Sequence, residues 1–141
     1  MGAVSVNQIL ITPLKRIQVV GGDVLHGMKC SDPGYVDFGE AYFSIVEVGA
    51  IKAWKRHLRM TLNFVVPLGE VFFVFIDEEG AVREEVVGEN RYVRLTVPPG
   101  IWFGLKGVGN KENMVLNIVN IPHDSNEVER LSLSDLDYVW K

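Results

Sequence analysis

Eight short apolar runs separated by turn chemistry constrain this 141-residue chain more than any other feature of it. The runs cover residues 8–11, 17–20, 41–48, 51–66, 71–76, 81–87, 92–97 and 114–121. Between them stand Gly21-Gly22-Asp23, Asp32-Pro33-Gly34, Asp77-Glu78-Glu79-Gly80, Gly88-Glu89-Asn90 and Pro98-Pro99-Gly100, residues that supply positive φ, a preset φ or a side-chain-capped turn. Runs of this length at this spacing predict an all-β sandwich or barrel. The residue types agree, because 22 Val and 9 Ile against 5 Ala favour a pleated, half-buried surface over a helix. In residues 92–97, Val93, Leu95 and Val97 alternate with Tyr92, Arg94 and Thr96, the pattern of a strand with one buried face. No repeat, low-complexity tract or linker divides the chain, so one domain over 1–141 is expected. The one helical expectation is a short turn through Asp135 and Leu136, capped by Ser132 or Ser134.

With 48% apolar residues the chain can bury a core without staples, and its single cysteine, Cys30, permits no internal disulfide. Its longest uninterrupted apolar run, residues 71–76, falls far short of the ~20 residues a membrane span requires. A net charge of -4 argues against a general nucleic-acid or anionic-membrane surface, so an anionic ligand must be held by a local cluster. The first eight residues lack the basic and apolar regions of a signal peptide, which makes the cytoplasm the expected compartment.

Positive charge is dense in one place, Lys52-Ala53-Trp54-Lys55-Arg56-His57-Leu58-Arg59-Met60, inside the apolar run 51–66. As one long strand, this segment turns Ala53, Lys55, His57, Arg59 and Asn63 to one face and Lys52, Trp54, Arg56, Leu58 and Met60 to the other. Two readings stay open on spacing alone. The basic residues protect a solvated edge, or His57 with Lys55 and Arg59 holds an anion in an interior cavity. Asn63 and Asn117 interrupt apolar strands and either bind hydroxyls or satisfy strand ends; Trp54 and Trp102 either stack on a ring or pack the core. His26 and Cys30 do not make a metal site, and Gly107-Val108-Gly109 lacks the strand–turn–helix context of a phosphate loop.

The segments around this strand resemble the cupin superfamily. Gly49, Lys55, His57, Leu62 and Gly69 occupy the positions of its first motif, G-x5-H-x-H-x3,4-E-x6-G, with two of three metal ligands replaced. Phe103, after Pro98-Pro99-Gly100-Ile101-Trp102, stands where the second motif has its histidine ligand. One imidazole without a carboxylate does not hold a transition metal there, and no metal or other cofactor is expected. Among cupins, Gly69-Glu70-Val71-Phe72-Phe73-Val74-Phe75-Ile76-Asp77, the turn from Pro98 to Leu105, and the close around Asn126-Glu127-Val128-Glu129-Arg130 and Asp135-Leu136-Asp137-Tyr138-Val139-Trp140 are similar to the metal-free dTDP-4-dehydrorhamnose 3,5-epimerases. Trp54-Lys55-Arg56-His57, Met60-Thr61-Leu62-Asn63 and the stretch from Asn117 to Asp124 look like a compact subgroup related to them. The resemblance covers about residues 38–140, with 1–37 as an arm and first strands, 38–131 as the barrel and 132–141 as a C-terminal segment.

The resemblance implies a jelly roll, a homodimer to which an arm over residues 8–20 contributes pairing, and a nucleotide-linked 4-keto-6-deoxy sugar as substrate in surface-polysaccharide synthesis. That chemistry removes a proton next to the C4 ketone, stabilises an enolate and returns a proton to the opposite face, so it needs a base, a cation and an acid. The family's histidine base falls on Lys55, its arginine on Lys52 and its glutamine on His57; its enolate-binding lysine falls near Leu62, and its tyrosines on Val119 and Asn120. The expected site therefore has His57 as base two residues along the same face, Lys55 and Arg59 as stabilisers, and Asn63, Trp102, Asn117 and Trp54 shaping the pocket. Tyr92 or Tyr138 is a candidate for the missing phenol, and Asp135 roughly matches a family acid. The alternative expectations are a non-catalytic sugar or sugar-nucleotide binding protein, and a structural partner with its cavity packed shut.

Overall fold

The computed structural model describes residues 3–141 as two facing antiparallel sheets. The first runs in the order β1 (Leu10–Pro13), β9 (Val93–Val97), β6 (Leu62–Leu68), β11 (Asn113–Val119), β4 (Glu40–Val46). The second runs β12 (Val128–Arg130), β5 (Ile51–His57), β10 (Trp102–Gly107), β7 (Glu70–Ile76), β8 (Val82–Gly88). This is the jelly roll, in which the strands from β4 to β12 alternate between the two sheets along the chain except at the β7–β8 hairpin. A small hairpin, β2 (Arg16–Ile17) with β3 (Val24–Leu25), stands apart from both. The expected arm divides: β1 pairs with β9 of its own chain, Leu10 opposite Thr96, and the rest forms the exposed hairpin. Ser132 and Asp135 do bracket a short 3-10 turn, Leu133–Asp135, with the Ser132 N–H donating to Asp135 Oδ2 at 2.7 Å.

Each sheet turns an apolar face to the other. Phe64 from β6, Phe73 and Phe75 from β7, Leu95 from β9, Phe103 from β10 and Val115 from β11 are buried together, and burial of aromatic and branched side chains on this scale is what drives the sandwich shut. A second apolar cluster covers the back of the second sheet, where Trp54, Phe72, Val74 and Ile76 lie beneath Leu136, Tyr138 and Trp140 of the C-terminal segment. Gly104 allows this contact: a Cβ there would meet Ala53 Cβ at 2.6 Å and the Trp140 ring at 2.9 Å.

The run 51–66 is two strands rather than one. β5 ends at His57, the chain turns through residues 58–61, and β6 crosses to the other sheet. β5 also carries a bulge, since Phe103 pairs with Lys55 but its neighbour Gly104 pairs with Ala53, leaving Trp54 as the extra residue. Trp54 bonds instead to Leu131, its N–H donating to Leu131 O and its carbonyl accepting from Leu131 N–H, each at 3.1 Å.

Candidate active site

The two sheets gape along one side, between the edge strands β4 and β12. The cavity there has two adjoining lobes of about 350 and 270 Å³, with Tyr42, Lys55, Phe103 and Arg130 bordering both. Asn117, Ser44 and Lys52 line the larger lobe; His57, Met60 and His123 line the smaller. β5 and β10 of the second sheet thus face β4 and β11 of the first across the space.

His57 is buried, 8% exposed, and its Nδ1 lies 2.5 Å from Glu127 Oε1. Glu127 is buried still further, at 2%, and its other oxygen accepts from the backbone N–H groups of Arg59 and Met60, both at 3.2 Å. Burial alone would raise this carboxyl, but the His57 bond and the two backbone donors outweigh it and hold Glu127 below its ordinary value, as a carboxylate. A carboxylate on Nδ1 fixes the tautomer with its proton there and leaves Nε2 as the lone-pair nitrogen. The imidazole is parallel to the Phe103 ring, 12° between planes with centroids 6.1 Å apart, which holds it in one orientation.

Opposed to this acidic partner is a group of cations. Among the described residues, neither Lys55 nor Arg130 forms a salt bridge, and Lys52 spends its ammonium on the carbonyl of Ile45 at 2.9 Å. Burial, then the charges of Arg130 and Lys52, push the Lys55 ammonium below the usual lysine range. Lys52, Lys55 and Arg130 thus border one cavity as three neighbouring cations, an arrangement with the chemistry to receive a polyanion.

On the facing wall, Tyr42 accepts a hydrogen bond through its hydroxyl oxygen from Asn117 Nδ2 at 3.1 Å. The other tyrosine candidates lie elsewhere: Tyr92 donates its hydroxyl to His26 O, and Tyr138 donates to Glu84 on the back of the second sheet. The latter phenol is pushed upward by burial and by Glu84. Asp135 caps its own turn. Among the described residues there is no group of three or more His, Cys, Asp or Glu side chains that could hold a metal ion.

Of the expected site residues, His57, Lys55 and Asn117 come together on the cavity. Arg59 does not, because the strand ends at His57; it lies in the following turn with its side chain 61% exposed, paired to Asp124 at 3.0 Å. Asn63 faces out of the first sheet, under the 27–34 loop, where its Nδ2 donates to Gly34 O and its Oδ1 accepts from Arg94 and Thr96. Trp102 sits on the back of the second sheet with the Arg56 guanidinium 4.7 Å above its ring. Trp54 borders the larger lobe, but its indole turns to the same back face, edge-on to Tyr138 and donating Nε1–H to Leu133 O. The bulge explains both departures on β5: one extra residue carries Ala53 outward with Trp54 and returns Lys52 to the cavity beside Lys55. Glu127, Arg130 and Tyr42 carry no sequence expectation of a role, since each reaches the cavity from a strand or turn far from the basic segment.

No protein-family model matches the chain. A dTDP sugar isomerase of Desulfovibrio desulfuricans G20 has the same structure, with a TM-score of 0.91 and 34% identity over 94% of this chain and 90% of that one. The chain belongs to the dTDP-4-dehydrorhamnose 3,5-epimerase-related cupins. The dTDP-4-dehydrorhamnose 3,5-epimerase of Sulfolobus tokodaii shares the fold of this cupin at a TM-score of 0.81 and 17% identity, over 99% of this chain and 86% of that one. Among curated proteins it is 27% identical over 89 residues to the probable low-salt glycan biosynthesis epimerase Agl13 of Haloferax volcanii. That match spans 58% of this cupin and 57% of the relative, little more than half of either. No helix of its described residues is long and apolar enough to cross a membrane.

Proposed function

We propose that this cupin is an epimerase or isomerase of a nucleoside-diphosphate-linked 4-keto-6-deoxy sugar, serving surface-glycan synthesis. The observation that carries the reading is the His57–Glu127 pair opening on a cavity that Lys55 and Arg130, neither in a salt bridge, border on both lobes. His57 Nε2 removes the proton on the carbon next to the ketone, and the electron pair of that C–H bond moves onto the ketone oxygen as an enolate. Glu127 stabilises the imidazolium that forms, as a buried carboxylate behind a histidine does. Lys55 and Arg130, which border both lobes, offset the diphosphate and the developing oxyanion. Tyr42, on the facing sheet, returns a proton to that carbon from the opposite side as the enolate reverts to the ketone; the Tyr42 phenolate then takes up a proton from solvent through the open edge and the His57 imidazolium releases one to it. No redox change is involved, and the chain needs no group beyond these for the proton transfers.

The substrate class is supported by the kinship to a dTDP sugar isomerase and by the unpaired cations. The family resemblance also supports a homodimer. The deciding experiment is proton NMR in deuterated water with dTDP-4-keto-6-deoxyglucose, following the C3 and C5 signals for wild type and His57→Asn. The expected result is loss of an α-proton signal with wild type and none with the variant. Line broadening without exchange would turn the reading to a sugar-nucleotide binding protein, and neither effect would remove this substrate class.

A further inference from the structure

Asn117 is 5% exposed on the cavity wall, and its Oδ1, also buried, has no hydrogen-bond partner. Buried carboxamide oxygens normally have partners, and an unmade bond there costs stability. A packing role does not account for it, because an aliphatic residue on β11 among Phe64 and Val115 would fill the place without that cost. What the amide does accomplish is on its other side. Asn117 and Tyr42 are directly paired across β11 and β4, and Nδ2 reaches the phenol oxygen at 3.1 Å.

A phenol has one hydrogen and an oxygen with lone pairs. With an N–H donor occupying the oxygen, the Tyr42 hydrogen cannot point at Asn117 and turns instead to the cavity. We infer that Asn117 is a positioning residue that sets Tyr42 as a proton donor toward the substrate, at the expense of its own unpaired carbonyl. The inference rests on the proposed function, since it assigns the second proton carrier of that reaction its orientation. It also explains why an acid can work from β4, with Val119 and Asn120 at the positions where the family resemblance places tyrosines.

The test compares wild type, Asn117→Leu, Tyr42→Phe and the double variant with dTDP-4-keto-6-deoxyglucose, reading turnover, KM and α-proton exchange in deuterated water. Asn117→Leu is expected to lower kcat at least tenfold with KM within about twofold, while exchange catalysed by His57 falls much less. In the Tyr42→Phe background the same substitution should add almost nothing, because both changes remove one unit. Asn117→Gln, which keeps the N–H donor, should recover part of the turnover. A structural role would instead lower exchange and turnover together and would add to Tyr42→Phe; either result overturns the inference, as does a raised KM at unchanged kcat. The 13Cζ resonance of Tyr42 in tyrosine-labelled protein, assigned by its loss in Tyr42→Phe, provides a readout without turnover and should move in Asn117→Leu. If wild type gave no exchange, the proposed function would fall; an unmoved resonance would refute the positioning by itself.

Discussion

A histidine in a cavity can serve as a base only when something decides which nitrogen carries its proton, and in the proposed mechanism Glu127, 2.5 Å from His57 Nδ1, does so. Asn and Gln cannot do this as well, because a neutral amide does not stabilise an imidazolium. Glu127→Gln is therefore expected to lower kcat about a hundredfold with little change in KM, measured by steady-state turnover. Lys55 has the converse problem of three positive charges sharing one space. Its charged form is disfavoured by burial and by Arg130 and Lys52, so its proton leaves at a lower pH than from an ordinary lysine. A bound diphosphate favours the charged form. Affinity for dTDP should accordingly hold through neutral pH and weaken as pH rises through that lowered ionisation, before the usual lysine range. Lys55→Met should bind about ten- to a hundredfold more weakly at neutral pH and lose that part of the pH dependence, as calorimetry would read.

At the scale of elements, the strand period and its interruption decide which residues meet. Lys55 and His57 share a face because no irregularity lies between them, so two-residue alternation places both correctly from sequence. Across Trp54 the same rule fails for Ala53 and Lys52, since a bulge is set by pairing with β10 and β12 and leaves no mark in the residues of β5 itself. Arg59 fails for a different reason: an apolar run on both sides of a charged segment reads as one strand, although the chain turns there and changes sheet. The jelly roll was legible because its runs and turns are local, whereas the His57–Glu127 contact joins residues 70 positions apart. A comparable distant tie belongs to Asp77, at the end of β7, whose Oδ2 accepts from the Val6 N–H at 3.0 Å and whose Oδ1 accepts from Glu79 and Ala81. These donors, Val6 foremost, hold the carboxyl below its ordinary value despite some desolvation. Because the folded value lies below the unfolded one, the stabilisation is present above the usual carboxylate range and is lost as pH falls through the folded value. Asp77→Asn should lower the Tm by about 3 °C at pH 7, and the difference from wild type should shrink under acid, as calorimetric scans would show.

For the whole molecule, association has a physical basis on the outer wall of the first sheet. Ala41, Phe43 and Ile45 of β4 point outward beside Ile118, Leu116 and Met114 of β11, each pair in direct register. Phe43 is 63% exposed and Ile45 41%, on an edge strand and without a charged residue among the six. Scattered apolar residues on a surface need no partner, but three adjacent cross-strand pairs form a continuous patch of the kind that is covered in an assembly. A second copy is the occupant that the family resemblance supports, and a two-fold axis lets the same patch cover itself. Covering it would also brace β4, the strand that carries Tyr42 at the cavity's open edge, so association and turnover should be linked. Sedimentation equilibrium is expected to give twice the chain mass for wild type and the chain mass for Phe43→Glu with Leu116→Glu, with the far-ultraviolet circular dichroism of a β-sandwich retained. The monomeric variant should bind dTDP through Lys55 and Arg130 nearly as wild type does, yet turn over more slowly because Tyr42 is less firmly held. A wild type that sediments as a monomer would leave the patch uncovered and exclude this role for it.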